Sequence, residues 1–292
     1  MRLDEAVEAL DSYFRVPEVR NDDWAPNFEH LYPDPYWREF AEPGYEGRWN
    51  GLFVRGADEV ERAATCVFPS DEIVASLPPR TLLFSEHPIA FEDDVEGFAP
   101  LARASFERLQ QTGSSFYNVH APLDQHPEVA PSRLVAEGLG LSRLEEYFPI
   151  AEGIPGGAAI VGDSGLALDG LAARLRSYLG EGIPVDILTR PRERAGRVAV
   201  VAGGGADRDI LEASLDRGCE TYVTGNAATR CRLDFVQEEV RAFRALADEE
   251  DVAVVDATHY GLEKPPQLAM VGWFASLGLP AEIRPARPER AS

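Results

Sequence analysis

The sequence predicts an α/β fold with largely parallel strands, and three observations carry that reading. Short β-branched runs such as Val198-Ala199-Val200-Val201, Tyr222-Val223-Thr224 and Val252–Asp256 recur along the chain. Segments of helical periodicity separate them, as in 168–179 and 234–248. Strands alternating with helices favour parallel sheets, because each crossover returns the chain to the same edge.

The elements follow in order. Residues 3–14 read as a helix with Leu3, Ala6, Val7, Leu10 and Phe14 on one face. Residues 15–50, rich in Pro, acids and aromatics without clear period, read as a long loop or insertion pinned by its aromatics, set at an interface. Strands are expected at 52–54 and 64–68, then a helix from Ser70 to Leu77 with Ser70 as N-cap. A buried strand at 81–85 ends at Glu86-His87-Pro88, a helix covers 98–111, a strand at 115–119 ends at His120, and a helix covers 131–139. The Gly- and Pro-punctuated stretch 141–197 offers a helix at 168–179 and a strand at 184–189. A strand at 197–202, a helix at 207–216, a strand at 221–224, a helix at 234–248 and a strand at 252–256 follow. The last helix is expected at 266–277, behind Pro265-Pro266, with a frayed tail from Arg284. The expected division is an N-terminal α/β domain over 1–145 and a second over 146–292, the final helix packing back on the first.

Of the 292 residues, 50 are acidic and 28 basic, a formal charge of −22, and Lys264 is the only lysine. Such a chain repels nucleic acid and anionic membranes, so neither is an expected partner. The acids are dispersed among apolar periodic segments, which suits a folded surface in a salt-rich cytoplasm, where screening tolerates self-repulsion; a base-composition bias toward arginine is the alternative. No apolar run approaches the roughly 18 residues of a membrane span. Met1–Glu5 has no signal-peptide character, so a cytoplasmic location is expected. Cys66, Cys219 and Cys231 show no CxxC spacing and read as small buried hydrophobes.

Only five histidines are present, and His87, His120 and His259 each follow a predicted strand, with Glu86, Asp124 and Glu263 nearby. Ligands of open α/β sheets bind outside the carboxyl ends of strands, and imidazole with carboxylate suits divalent Zn, Fe or Mn. Pattern alone leaves metal ligation and plain hydrogen-bonding loops equally supported. His30 and His126 read as surface residues. Gly203-Gly204-Gly205 matches neither phosphate-binding glycine motif, and Asp207 and Asp209 oppose an anion there, which favours a tight turn. Ser85 and Ser164 lack the context of a nucleophilic serine.

These segments also resemble a known family. Ser85-Glu86-His87-Pro88, Val119–Asp124, Val198–Gly205 with Tyr222–Gly225, and Asp256–Glu263 occur in the order found in the NIF-three-like dinuclear metal-centre family, the GTP cyclohydrolase type 2 homologues. Asn50-Gly51-Leu52 resembles an early element of the same plan, and the likeness spans roughly residues 50–280. It implies metal ligands at His87, Asp124, His259 and Glu263, with the glutamate bridging two ions and His120 as an acid/base group. It further implies two α/β domains with the metals in the cleft between them, a toroidal homohexamer and a small-molecule substrate. Glu86 stands where the family carries a histidine. It either ligates, making the site richer in oxygen, or swings away and leaves the second of the two divalent ions poorly held. Asn226 likewise replaces the usual acid. The expected function is metal-dependent hydrolysis of a small nucleotide-like or phosphorylated molecule; the alternative is a non-catalytic metal-binding regulatory or chaperone-like oligomer.

Overall fold

The computed structural model describes residues 1–19, 24–92, 97–189, 193–228 and 234–285, which form two compact units. The first gathers Met1–Glu92, Phe98–Leu123 and the chain from Gln267 into the last strand; the second is built on Asp124–Pro266. Both are mixed α/β.

The first unit opens with α1 (Leu3–Phe14), whose buried Leu3, Ala6, Leu10 and Phe14 recur at helical spacing. Then come α2 (Trp24–Leu31), β1 (Gly51–Val54), β2 (Arg62–Cys66), α3 (Asp71–Ser76), β3 (Thr81–Ser85), β4 (Ala90–Glu92), β5 (Gly97–Ala99), α4 (Arg103–Thr112) and β6 (Ser115–Asn118). Ser70 caps α3 as expected, its hydroxyl accepting from Ile73 N at 3.1 Å. The helix expected from 98 starts later, at Arg103, because 97–99 pair as a strand and Pro100 disfavours helical backbone before it. With β13 (Ala281–Ile283) from the end of the described chain, the main sheet runs β1-β6-β3-β2-β13, antiparallel only between β1 and β6.

The segment 15–50 departs from expectation. It carries α2 and two short 3-10 turns, and its rings lie in the core, with Trp24, Phe28, Tyr32, Trp37, Tyr45 and Trp49 all buried. Tyr45 stacks on Phe53 at 4.2 Å, and its hydroxyl donates to Asn118 Oδ1 at 2.6 Å. Each buried phenyl ring contributes roughly 1.5–3 kcal/mol, so aromatic burial replaces the periodic pattern that would have shown helix.

The second unit follows α5 (Ala121–Asp124) with α6 (Pro131–Gly138), β7 (Ser142–Tyr147), β8 (Ala159–Asp163), α7 (Leu168–Leu179), β9 (Asp186–Ile187), β10 (Arg197–Val201), α8 (Arg208–Leu215), β11 (Thr221–Thr224), α9 (Asp234–Glu249), β12 (Ala253–Asp256) and α10 (His259–Ser276); β13 (Ala281–Ile283) closes the described chain. Its sheet runs β7-β8-β10-β11-β12-β9, parallel through β10, β11 and β12 and antiparallel elsewhere. The α7 bounds match expectation, with Leu168, Leu171, Ala172, Leu175 and Leu179 on its buried face.

A further difference bears on the site. The last helix begins at His259, not behind the prolines; Pro265 and Pro266 lie inside it. His259 and Glu263 therefore fall one turn apart on a helix rather than in a loop. His126, expected on the surface, is buried, its Nδ1 accepting from Glu128 N and Val129 N at 3.2 and 3.3 Å. His30 is exposed. Cys66 and Cys219 are buried, and burial pushes the Cys219 thiol up to about 12; Cys231 lies outside the described residues. No described helix is long and apolar enough to cross a membrane.

Asp11 on α1 accepts from Tyr117 OH at 2.7 Å, yet burial holds its carboxyl above the ordinary 3.8. A raised carboxylate contributes stability that is full below the unfolded value and lost as pH rises through the folded one. Asp11→Asn keeps the acceptor without the charge. It is expected to raise the melting temperature at about pH 8 and to give no gain near pH 4; equal shifts at both would show that burial of the charge is not the cause.

Candidate metal centre

Within the first unit, parallel pairing of β3 with β6 sets Ser85 opposite Asn118. The residues that follow, Glu86-His87 and His120, therefore emerge at one edge of the sheet. Glu86 N donates to Cys66 O and His87 N to Val67 O, which extends the ladder past the strand. Glu86 and His87 are fully buried. Gln267 Nε2 donates to Glu86 Oε2 at 3.2 Å. The His87 and His120 rings lie 4.8 Å apart, and Trp24 presents its ring edge-to-face to both, at 5.6 and 5.2 Å. Phe68 stacks on His87 at 4.2 Å. Asn50 Oδ1 accepts from His120 N at 2.9 Å, so the Asn-Gly-Leu element fixes the backbone that presents this histidine.

Within the second unit the register aligns Val201, Thr224 and Asp256 across β10, β11 and β12. Three loops leave that edge together: Gly203–Gly205, Gly225-Asn226 and Ala257-Thr258. Buried Asp256 accepts from Thr258 N at 3.2 Å and Ala228 N at 3.1 Å. Thr258 has a left-handed φ of 61°, and its hydroxyl accepts from Gly261 N at 3.0 Å. A β-branched residue is strained there, at roughly 1–3 kcal/mol, and the Asp256 and Gly261 contacts hold it. From that anchor α10 projects His259 Nε2 to within 2.8 Å of Glu263 Oε1. Asp124, at the end of α5, has its carboxyl raised well above the ordinary range, by burial first and then by the charge of Glu263.

The glycine loop does more than turn the chain. Gly203 has φ +67°, and a Cβ there would lie 2.2 Å from Glu263 Oε1 and 3.3 Å from His259 Nε2. At Gly225 a Cβ would meet Gly203 O and His259 N, both at 2.6 Å. The glycines are the space into which the histidine–glutamate pair fits, a role no short motif encodes.

The structure thus brings Glu86, His87 and His120 together in the first unit, and Asp124, His259 and Glu263 together in the second. Sequence reasoning missed Gln267 and Trp24, and read Gly203 as part of a tight turn only. Only the charge-bearing partners stood out by residue type, and with the last helix expected from 266 the four-residue spacing of Gln267 from Glu263 carried no helical meaning.

The chain is 29% identical to the GTP cyclohydrolase 1 type 2 homolog of Deinococcus radiodurans over 227 residues, covering 76% of this chain and 73% of that one. It is likewise 29% identical to the protein of the same name from Pyrococcus horikoshii over 230 residues, covering 76% and 83%. Among solved structures, TTHA1606 from Thermus thermophilus superposes with a TM-score of 0.64 at 22% identity, over 98% of this chain and 100% of that one. Reduced HcgD from Methanocaldococcus jannaschii gives 0.65 at 17% identity, over 97% of each. At these identities the likeness extends to the fold. The model of the family described as Duf34/NIF3 (NGG1p interacting factor 3) matches residues 36–271, which takes in both strand-end clusters. The chain belongs to the Duf34/NIF3 family.

Proposed function

We propose that this protein binds divalent metal and uses it to hydrolyse a small nucleotide-like or phosphorylated substrate. The observation that carries the metal reading is the second unit's cluster: His259 and Glu263 within 2.8 Å, a nearby Asp124 whose carboxyl Glu263 perturbs, and a glycine loop that leaves them room. Two carboxylates and an imidazole suit Zn, Fe or Mn, and a Cβ-sized gap kept at Gly203 fits a site that must close on an ion.

The ordered segments shared with the family support adding the other cluster, in which Gln267 holds Glu86 beside His87. The proposed ligand set is therefore Glu86, His87, Asp124, His259 and Glu263, serving two ions, with assembly as a homohexamer. A bound pair of ions supplies an activated water and clamps the oxygens of a displacement. The chain's own contribution is orientation: Gln267 holds Glu86, Asn50 holds the backbone of His120, and the strained Thr258 aims His259. His120, tilted against His87 and edge-to-face with Trp24, would move a proton, since an imidazole titrates near neutrality.

His120→Ala is expected to keep its ions by elemental analysis and to lose about 100-fold or more in turnover on a panel of nucleotides and phosphodiesters. Wild-type protein that holds ions yet turns over nothing on a broad panel would move the assignment to a non-catalytic metal-binding protein. Wild-type protein purified and reloaded without retaining any ion would end the metal reading itself.

A further inference from the structure

The amide that holds Glu86 has a second end. Gln267 is fully buried; its Nε2 donates to Glu86 Oε2, and its Oε1 is buried with no hydrogen-bond partner among the described residues. The reverse orientation of the amide would set oxygen against carboxylate oxygen, so the geometry itself fixes which atom faces Glu86. The side chain is also anchored from behind, because Thr65 Oγ1 donates to Gln267 O at 3.0 Å. A neutral acceptor kept away from water in a core is the kind of group that needs a partner supplied from elsewhere.

We propose that Gln267 is a specificity-determining positioning residue of the metal site, an inference that rests on the metal reading above. Its Nε2 locks Glu86 into the orientation of a ligand, and its Oε1 adds a neutral oxygen for the ion or its bound water. Where a histidine would offer nitrogen, the Glu86–Gln267 pair offers oxygen alone. Hard cations such as Mn²⁺ prefer oxygen donors, whereas Zn²⁺ takes imidazole nitrogen and thiolate readily. The pair therefore biases the site toward Mn²⁺ over Zn²⁺, and Gln267 acts chiefly through Glu86 to do so.

The test is competitive equilibrium dialysis of the full-length protein against Mn²⁺ and Zn²⁺, read by elemental analysis. Gln267→Leu is expected to stay folded and to lower the Mn-to-Zn ratio by about 10-fold, within the range for removing a group that supports a ligand. Gln267→Met, which keeps the length and loses both polar atoms, should behave alike and serves if the leucine variant does not fold. In a Glu86→Gln background the same substitution should change the ratio by clearly less than it does in the wild type, because two residues acting largely as one unit are not additive. An unchanged ratio in both Gln267 variants, or full additivity with Glu86→Gln, overturns the role of Gln267 and leaves the metal reading standing. A wild type that takes up neither ion overturns both.

Discussion

Gly203→Ala is expected to cost the protein its metal and part of its stability together. The residue has φ +67°, where an L side chain costs roughly 1–2 kcal/mol. Its Cβ would also sit 2.2 Å from Glu263 Oε1, and Glu263 is only 2% exposed, so the carboxylate has little room to retreat. Overpacking of this kind adds about 1–3 kcal/mol. Any movement of Glu263 also breaks its 2.8 Å approach to His259, and ion affinity should fall by at least about 10–100-fold. Gly204→Ala is the matched control. Its Cβ would meet Asn226 Nδ2 at 3.7 Å and His259 Cε1 at 3.9 Å, ordinary contact distances. Calorimetry and elemental analysis of the two variants should therefore diverge. If Gly203→Ala retains a full complement of ion, the glycine is a turn and nothing more.

That glycine marks the limit of what could be read from residue types. The strand-end position of His87, His120 and His259 was legible, because short runs of aliphatic and aromatic residues announce buried strands and the polar residues after each run stand out. The α7 helix was legible for the same reason, its leucines keeping strict period. Elements whose stability comes from distant partners were not legible. β7 (Ser142–Tyr147) lies mostly exposed at the sheet edge and carries Arg143, Glu145 and Glu146, so it has neither an apolar run nor clean alternation. Pro265-Pro266 read as a helix start because proline removes a backbone donor; α10 nevertheless continues through them, its entrance fixed by Thr258 and Asp256. Glu86 showed as a departure from a family pattern, but what holds it lies 181 residues away in Gln267. An amide so far along the chain leaves no local signature.

Glu263→Gln is expected to move stability and metal binding in opposite directions. As a ligand, Glu263 contributes a charge that an amide cannot replace, so ion uptake should drop below detection in the range where wild type saturates. Without metal, the same charge is a liability. It sits among buried groups and raises the Asp124 carboxyl, adding to the effect of burial. The folded state of Asp124 is thus favoured below its unfolded value of 3.8, and that contribution is lost as pH rises through the raised folded value. The metal-free wild type therefore keeps Glu263 beside a buried Asp124 carboxyl whose ionisation it disfavours, and removing that charge relieves Asp124. Glutamine keeps an oxygen for His259 Nε2 at the position where the contact is now 2.8 Å. The metal-free variant should melt higher than metal-free wild type near pH 7, the gap closing as pH falls toward about 4. Adding metal should reverse the order, because ligand binding stabilises only the protein that still binds it. A variant that melts lower than wild type both with and without metal would mean that Glu263 serves the fold rather than an ion.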